Sequence, residues 1–555
     1  MNKLITDFAS STSAHGWGTI GQRGSKCGKL LWVIFTIACQ IAAVVWVAII
    51  LTRYLQYKTM DRIKMTNDYQ VKFPSVTVCP LNPTPISMLG QWLLDYKKPD
   101  SELLKLNDYY ALLFKLSGYL VEGIEIVDEE MQSLASKYNQ LDSHRGYLEN
   151  IPYLWKYGHE QNNFIPGCMY KKKTCVNESF ERIHHTAFQN CYTYNGATLN
   201  DMYVTSQGME GGLSLIIFLD MGSEGLSLYN PYHSDSGSSG ARVIIHEKGT
   251  MPDPDNDGFN VEPGLSINVA LSVNRRELMK QPWGQCKDEF SLGLGKFKYS
   301  KNACRQKCRK DLICEACGCV YETLPMLNVT LARDEVLCGK INTDEWLKNN
   351  PNITLLRNDL DRLECLEKYL NYTWREISEE QGCECRENCT THSYNIETSQ
   401  ALWPIEGSES GFYCRQIMML TPNYINTTIY ERFHERVSDC CSNKTRGKDI
   451  GDELRKNFIR LNVYFKDLDT RVIIQDQDFS FWSMLCEVGG ILGFFIGVSI
   501  ISIVEFTLLF LNIFNYVTFK RSKINNHVCS GNDDIDHKRK KTEHSTGLTF
   551  YQEHK

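Results

Sequence analysis

The sequence has no excess of positive charge. Its 60 Lys and Arg stand against 66 Asp and Glu, for a formal net charge of −6. No basic field marks it for nucleic acid, and its short charge runs read as solvated surface. There is no visible internal repeat. There is also no catalytic constellation, phosphate-binding loop or metal spacing outside the cysteines, so neither enzyme chemistry nor a cofactor is expected. At 42% hydrophobic residues, the composition fits neither a disordered chain nor a bulk transporter.

Cysteine is abundant. Of 22 cysteines, 18 fall between Cys79 and Cys441, and only Cys27, Cys39, Cys486 and Cys529 lie outside. Such a set means zinc or disulfides. Asn-X-Ser/Thr sequons decide between them: Asn177, Asn328, Asn352, Asn371, Asn388, Asn426 and Asn443 all lie in this segment or just past it, and neither tail holds one. That distribution points to an oxidising, lumenal compartment and to disulfides.

Two apolar runs enclose the cysteine-rich segment. Residues 30–51 carry no charge, and Gln40 is the one strongly polar side chain. At ~1.5 Å per residue this run crosses a ~30 Å hydrocarbon layer. A cleaved signal would be shorter and nearer the start. The second run, residues 488–514, holds Gly489, Gly490, Gly493 and Gly497, then Ser499, Ser502 and Glu505. Small residues let helix backbones approach, whereas a carboxylate inside a span is costly and faces water or a partner. Basic residues flank the first run on both sides, so the positive-inside rule is ambiguous there. Lys520, Arg521 and Lys523 favour a cytosolic C-terminus, and the sequons place the middle outside.

The expected organisation is a cytosolic N-terminus (1–29), a first transmembrane helix (30–51), an extracellular domain (52–487), a second transmembrane helix (488–514) and a cytosolic tail (515–555). Alternation predicts strands at residues 212–219, 241–245, 265–271 and 458–465. The turn-like residues 466–469 and the strand 471–474 complete an expected hairpin. Helices are expected at 101–116, 128–138, 344–348 and 355–369, and a surface loop at 234–240. The fold class is α+β: two transmembrane helices and a large disulfide-rich extracellular domain with a β core and peripheral helices.

Several motifs converge on one family. Glu487 to Gly490, Gly493 to Ser499 and then Glu505 form a pore-like segment containing Gly497-Val498-Ser499. His15-Gly16 precedes the first span. Outside lie Phe73 to Cys79 (FPSVTVC), Cys191 to Asn195 (CYTYN), Pro263-Gly264, Pro282 to Cys286 (PWGQC), Tyr299-Ser300 and Cys317-Gly318-Cys319. Cys383, Cys385, Cys389, Tyr394, Ser399 and Trp403-Pro404 complete the series. Nearly end to end, the chain resembles the degenerin, epithelial sodium channel and acid-sensing ion channel superfamily.

The resemblance implies a trimeric, amiloride-sensitive sodium channel of the plasma membrane, as a homotrimer or with sister subunits, with both termini cytosolic and sodium as the permeant ion. It implies the disulfides Cys79–Cys191, Cys168–Cys175, Cys286–Cys389, Cys304–Cys385, Cys308–Cys383, Cys317–Cys365 and Cys319–Cys338. Cys314, Cys414, Cys440 and Cys441 are left over, and two further bridges are expected among them. Gly497, Val498 and Ser499 become the filter, Glu487 and Glu505 cation-attracting rings, and His15 and Gly16 a re-entrant segment. Tyr57 and Trp283 match a gating contact. Cys486 occupies a position where bulk holds such channels open.

The stimulus is the least legible feature. The stretch after the first span, residues 57–64, has no histidine, which counts against proton sensing there. Cys79 to Pro83 (CPLNP) and the extra cysteines fit a member opened by an extracellular peptide, similar to FMRFamide-gated channels. Proton gating, a constitutively open or mechanically gated channel, and a non-conducting two-pass receptor stay open as alternatives. The basic tail cluster His537 to Lys541 reads as solvated or as a contact for anionic lipid.

Overall fold

A computed structural model of the chain describes residues 26–83, 85, 133–134, 136–137, 158–176, 179–185, 188–221, 238–287, 297–320, 338, 352–405, 408, 412, 447–497 and 499–527. It divides into two compact units, residues 59–476 and residues 1–58 with 477–555.

The larger unit is mixed α/β. Its described strands are β1 (Thr59–Asn67), β2 (Val71–Lys72), β3 (Ser75–Pro80), β4 (Gly167–Tyr170), β5 (Lys173–Thr174), β6 (Phe180–His185), β7 (Gln189–Tyr194), β8 (Tyr203–Val204), β9 (Leu213–Phe218), β10 (Ala241–His246), β11 (Phe259–Val261), β12 (Leu265–Glu277), β13 (Thr390–Leu402) and β14 (Phe458–Gln477). One sheet runs β13-β12-β14-β9-β4-β5, with β1 also on β14; a second runs β11-β10-β3-β7-β6; β2 pairs β8.

Period-two alternation builds the core. On β12, Ile267, Val269, Leu271 and Val273 are buried and their neighbours are not. They share one cluster with Ile459, Leu461, Val463 and Phe465 of β14, with Phe73, and with Val76, Val78, Tyr192 and Tyr194 from the second sheet. Burying each such large side chain contributes roughly 1.5–3 kcal/mol.

The expected hairpin at residues 458–474 does not form. β14 is one strand that runs parallel to β12, and its register jumps from Leu271↔Phe465 to Val273↔Thr470. Residues 466–469 are the extra backbone of that jump. Lys466, Asp469 and the following Thr470 bond to residues remote in sequence rather than closing a turn. Asn67 Nδ2 donates to Asp469 Oδ1 at 2.9 Å, and Thr470 Oγ1 donates to Asp68 Oδ2 at 2.7 Å. Lys466 Nζ meets Glu397 of β13 at 2.8 Å.

The motifs noted above stabilise one another in pairs. β3 pairs β7, and Cys79 is bonded to Cys191 across them. Asn195, at φ 57°, donates its amide to the Phe73 carbonyl at 2.7 Å. The Trp403 N–H donates to the Gly264 carbonyl at 2.8 Å, joining two further motifs.

Helices α2 (Lys301–Cys317), α3 (Ile353–Leu370), α4 (Trp374–Gln381) and α5 (Gly447–Asn457) belong to this unit, and α1 (Lys26–Leu55) to the smaller one. The Ser300 side chain caps α2, and Gly318, at φ 63°, ends it. The Asn352 side chain caps α3, which buries Leu356, Leu360, Leu363 and Leu366. Thr373 and Glu376 form a capping box on α4. Disulfides join Cys304–Cys385, Cys308–Cys383, Cys317–Cys365 and Cys319–Cys338 in this helical region, and Cys168–Cys175 and Cys286–Cys389 elsewhere. With Cys79–Cys191, these are the seven pairs the resemblance implies. Cys314 takes no bridge; its thiol is unbonded and exposed. Cys414, Cys440 and Cys441 lie outside the described residues, as do residues 101–116 and 344–348, 234–237 of the expected loop, and all of 128–138 except four helical residues.

Candidate functional site

The smaller unit contains α1, α6 (Phe481–Ile496) and α7 (Ile500–His527). Cys27–Leu55 of α1 is long and apolar enough to cross a membrane. Two of its polar side chains are satisfied within the helix: the Thr36 and Thr52 hydroxyls donate to the carbonyls of Trp32 and Ala48, at 2.8 and 2.7 Å. At one end, the Arg53 guanidinium lies 4.5 Å over the Phe479 ring, and Tyr54 meets Phe481 at 6.4 Å.

α6 begins earlier than the apolar run, at Phe481 rather than Val488. Ser480 explains this: its hydroxyl accepts from the Ser483 N–H at 3.1 Å. α6 then stops within the motif singled out above. Gly497 adopts φ 69°, ψ 23°, and its N–H returns to the Gly493 carbonyl. Only glycine takes this left-handed geometry without steric cost. Val498 lies outside the described residues. Ser499 opens α7 through a reciprocal cap: its N–H donates to Ser502 Oγ at 3.1 Å, and the Ser502 N–H donates to Ser499 Oγ at 3.3 Å. Phe481–Ile496 and Ile501–Phe514 together reach spanning length, bent by 74° at this break.

A break inside an apolar span has a chemical consequence. The last four carbonyls of a helix lack intrahelical donors. In lipid, such irregular backbone is tolerated only where protein or water meets it. Carbonyl and hydroxyl oxygens at one level can replace the hydration shell of a hard cation. Glu487 is exposed on α6 and Glu505 is half-buried on α7, on either side of the break in sequence. No residue of α6 is buried, and a Cβ at Gly489 or Gly490 would meet no atom within 4 Å.

The remaining expected site residues stand as follows. Cys486 is an unbonded, exposed thiol on α6. Tyr57 follows α1 at φ 48° and meets Tyr54 at 5.9 Å. Trp283 sits in a tight loop of the larger unit, where a Cβ on Gly284 would strike the Met279 carbonyl. His15 and Gly16 lie outside the described residues. Among the sequons, Asn352 and Asn371 are exposed. Asn388 is not: it is half-buried and its amide donates to the Tyr299 carbonyl at 2.8 Å, a bond that a glycan would displace. Asn177, Asn328, Asn426 and Asn443 lie outside the described residues.

Three histidines are held neutral by burial, which pushes His159, His184 and His246 down to about 4. His185, next to His184, is buried as well. One polar clamp was invisible in the sequence, because its halves are far apart. Glu247 accepts from the His392 N–H at 3.0 Å and meets its Nδ1 at 3.1 Å. Burial pushes the Glu247 carboxyl up, but the hydrogen bonds from His392 outweigh it and hold the group below the usual carboxylate range.

The glycine-rich break and the seven disulfides agree with the family match: residues 8–509 match the amiloride-sensitive sodium channel family. The chain belongs to that family. Its relatives include the FMRFamide-activated amiloride-sensitive sodium channel of Cornu aspersum, 24% identical over 90% of this chain and 82% of that protein. Epithelial sodium channel subunit gamma-2 of Xenopus laevis is 21% identical over 92% and 80%. Acid-sensing ion channel 4 of Rattus norvegicus is 24% identical over 90% and 78%. This amiloride-sensitive sodium channel family member therefore carries its helix break at Gly497–Ser499, within the matched residues.

Proposed function

We propose that the chain is a plasma-membrane subunit of a sodium-selective channel opened by an extracellular amidated peptide. Three copies, of this chain alone or with sister subunits, surround one pore, and both termini are cytosolic. Gly497, Val498 and Ser499 form the constriction, Glu487 and Glu505 supply carboxylate rings, and His15 and Gly16 fold beneath the filter. Tyr57 and Trp283 serve in gating, and Cys486 lies at the gate.

The observation that carries this reading is the interruption of an apolar span by Gly497 and the Ser499–Ser502 cap. A plain membrane anchor needs no such break. The peptide stimulus rests on the FMRFamide-activated relative and on the absence of histidine in residues 57–64. Whole-cell recording from the chain expressed alone tests it, applying amidated peptides and then acid. An amiloride-sensitive sodium current evoked by peptide supports the reading. A current evoked by acid alone replaces the peptide with the proton.

A further inference from the structure

β13 is the edge of its sheet, and its hydrogen-bonding pattern can be worked out residue by residue. The Leu278 N–H donates to the Cys389 carbonyl at 2.7 Å, and the Trp403 N–H donates to the Gly264 carbonyl at 2.8 Å. These bonds bracket the antiparallel β12–β13 ladder, whose register runs from Leu265↔Leu402 to Glu277↔Thr390. Bonded and unbonded pairs alternate along such a ladder. The odd-numbered residues of β13 therefore face β12. The even-numbered ones, Tyr394, Ile396, Thr398, Gln400 and Leu402, turn their N–H and C=O groups outward. His392 obeys the same parity, and its outward N–H is taken by the Glu247 carboxylate.

Past that clamp, no described strand pairs with the outer edge. Every residue from Asn395 to Leu402 is exposed. From Tyr394 to Leu402 the open edge is nine residues or about 30 Å long, a template for another strand, which natural proteins usually cover or blunt. Its composition selects an occupant. Glu397 is the one charged residue between His392 and Leu402, and Ile396 and Leu402 stand exposed beside it. A strand with a cationic side chain, apolar neighbours and an amide in place of a terminal carboxylate complements this edge.

We propose that the outer edge of β13, from Tyr394 to Leu402, is the docking site for the amidated peptide, which adds to the sheet as an extended strand. This rests on the peptide-gated reading above. Main-chain bonds hold the peptide, and its cationic group competes with Lys466 for Glu397. Lys466 begins the irregular stretch of β14, and β14 ends at Gln477, four residues before α6 starts at Phe481. Occupation of the edge thus acts on the strand that leads into the pore helix.

The test is an N-methyl scan of the Phe-Met-Arg-Phe amide peptide on the native channel, paired with Thr398→Pro and Glu397→Gln. Thr398→Pro removes an outward N–H without breaking a bond to β12. Potency is expected to fall at alternate peptide residues, and Thr398→Pro to weaken the response about tenfold, the scale of one lost hydrogen bond. If the peptide evokes current but the scan shows no alternation and both variants respond normally, the edge assignment fails and peptide gating stands. If Gln400→Cys cross-links two copies of the chain, the edge is a subunit interface and the assignment also fails. If the peptide evokes no current and a labelled peptide does not bind surface-expressed channel, peptide gating itself fails. Should Thr398→Pro not reach the surface, the scan on the native channel decides alone.

Discussion

Ser499 and Ser502 cap each other across the first turn of α7, each hydroxyl accepting from the other's N–H at 3.1–3.3 Å. Replacing a capping serine by alanine costs about 1 kcal/mol of helix stability. Ser502→Ala is therefore expected to loosen the start of α7 and lower sodium selectivity while sparing surface expression. Reversal potentials in sodium against potassium measure the change.

Cys486 presents an unbonded thiol on an exposed face of α6. A methanethiosulfonate reagent applied from outside is expected to hold the channel conducting, and Cys486→Ser to abolish that effect. Complete modification without a change in current would remove Cys486 from the gate.

Glu505 stands half-buried in an apolar helix and Glu487 exposed near the other side of the break. Three copies of either carboxylate would concentrate cations at a pore mouth. Glu505→Gln and Glu487→Gln are each expected to lower single-channel sodium conductance severalfold, most visibly at low ionic strength. Unchanged conductance in both would dismiss the rings.

Acid should destabilise the larger unit. His159, His184 and His246 are held near 4 by burial, against an ordinary value of 6.5. Above 6.5 both the folded and unfolded chains keep these groups neutral, and stability is at its full value. As pH falls from 6.5 towards 4, only the unfolded chain binds the protons. Each group then removes up to about 1.4 kcal/mol per pH unit. Thermal unfolding of the purified channel should shift to lower temperature across that window. His246→Gln, which keeps hydrogen-bonding capacity towards Thr77 and Thr250, should flatten the slope.

Much of this was legible in the sequence, for identifiable reasons. Alternation along β12 and the first half of β14 reports burial on one face, so those strands can be read directly. Gly497 and Ser499 are residues of the kind that end and begin helices, and the break falls on them. What failed is equally particular. The stretch Lys466-Asp-Leu-Asp469 has the composition of a turn, and nothing local distinguishes a turn from a register jump. The difference is made by Asn67, Asp68 and Glu397, which are remote in sequence. α6 starts before its apolar run because one serine hydroxyl supplies a cap. The clamp between Glu247 and His392 and the open edge of β13 exist only once the strand order is known.

The most direct test of the central claim is the sodium-to-potassium permeability ratio of Gly497→Ala. Alanine at a left-handed position costs roughly 1–2 kcal/mol, which should shift the end of α6 without unfolding the larger unit. If the break is the ion filter, the ratio is expected to fall towards one while the opening stimulus still evokes current. A native ratio in a channel that reaches the surface and conducts normally would contradict the assignment of the filter to Gly497, Val498 and Ser499.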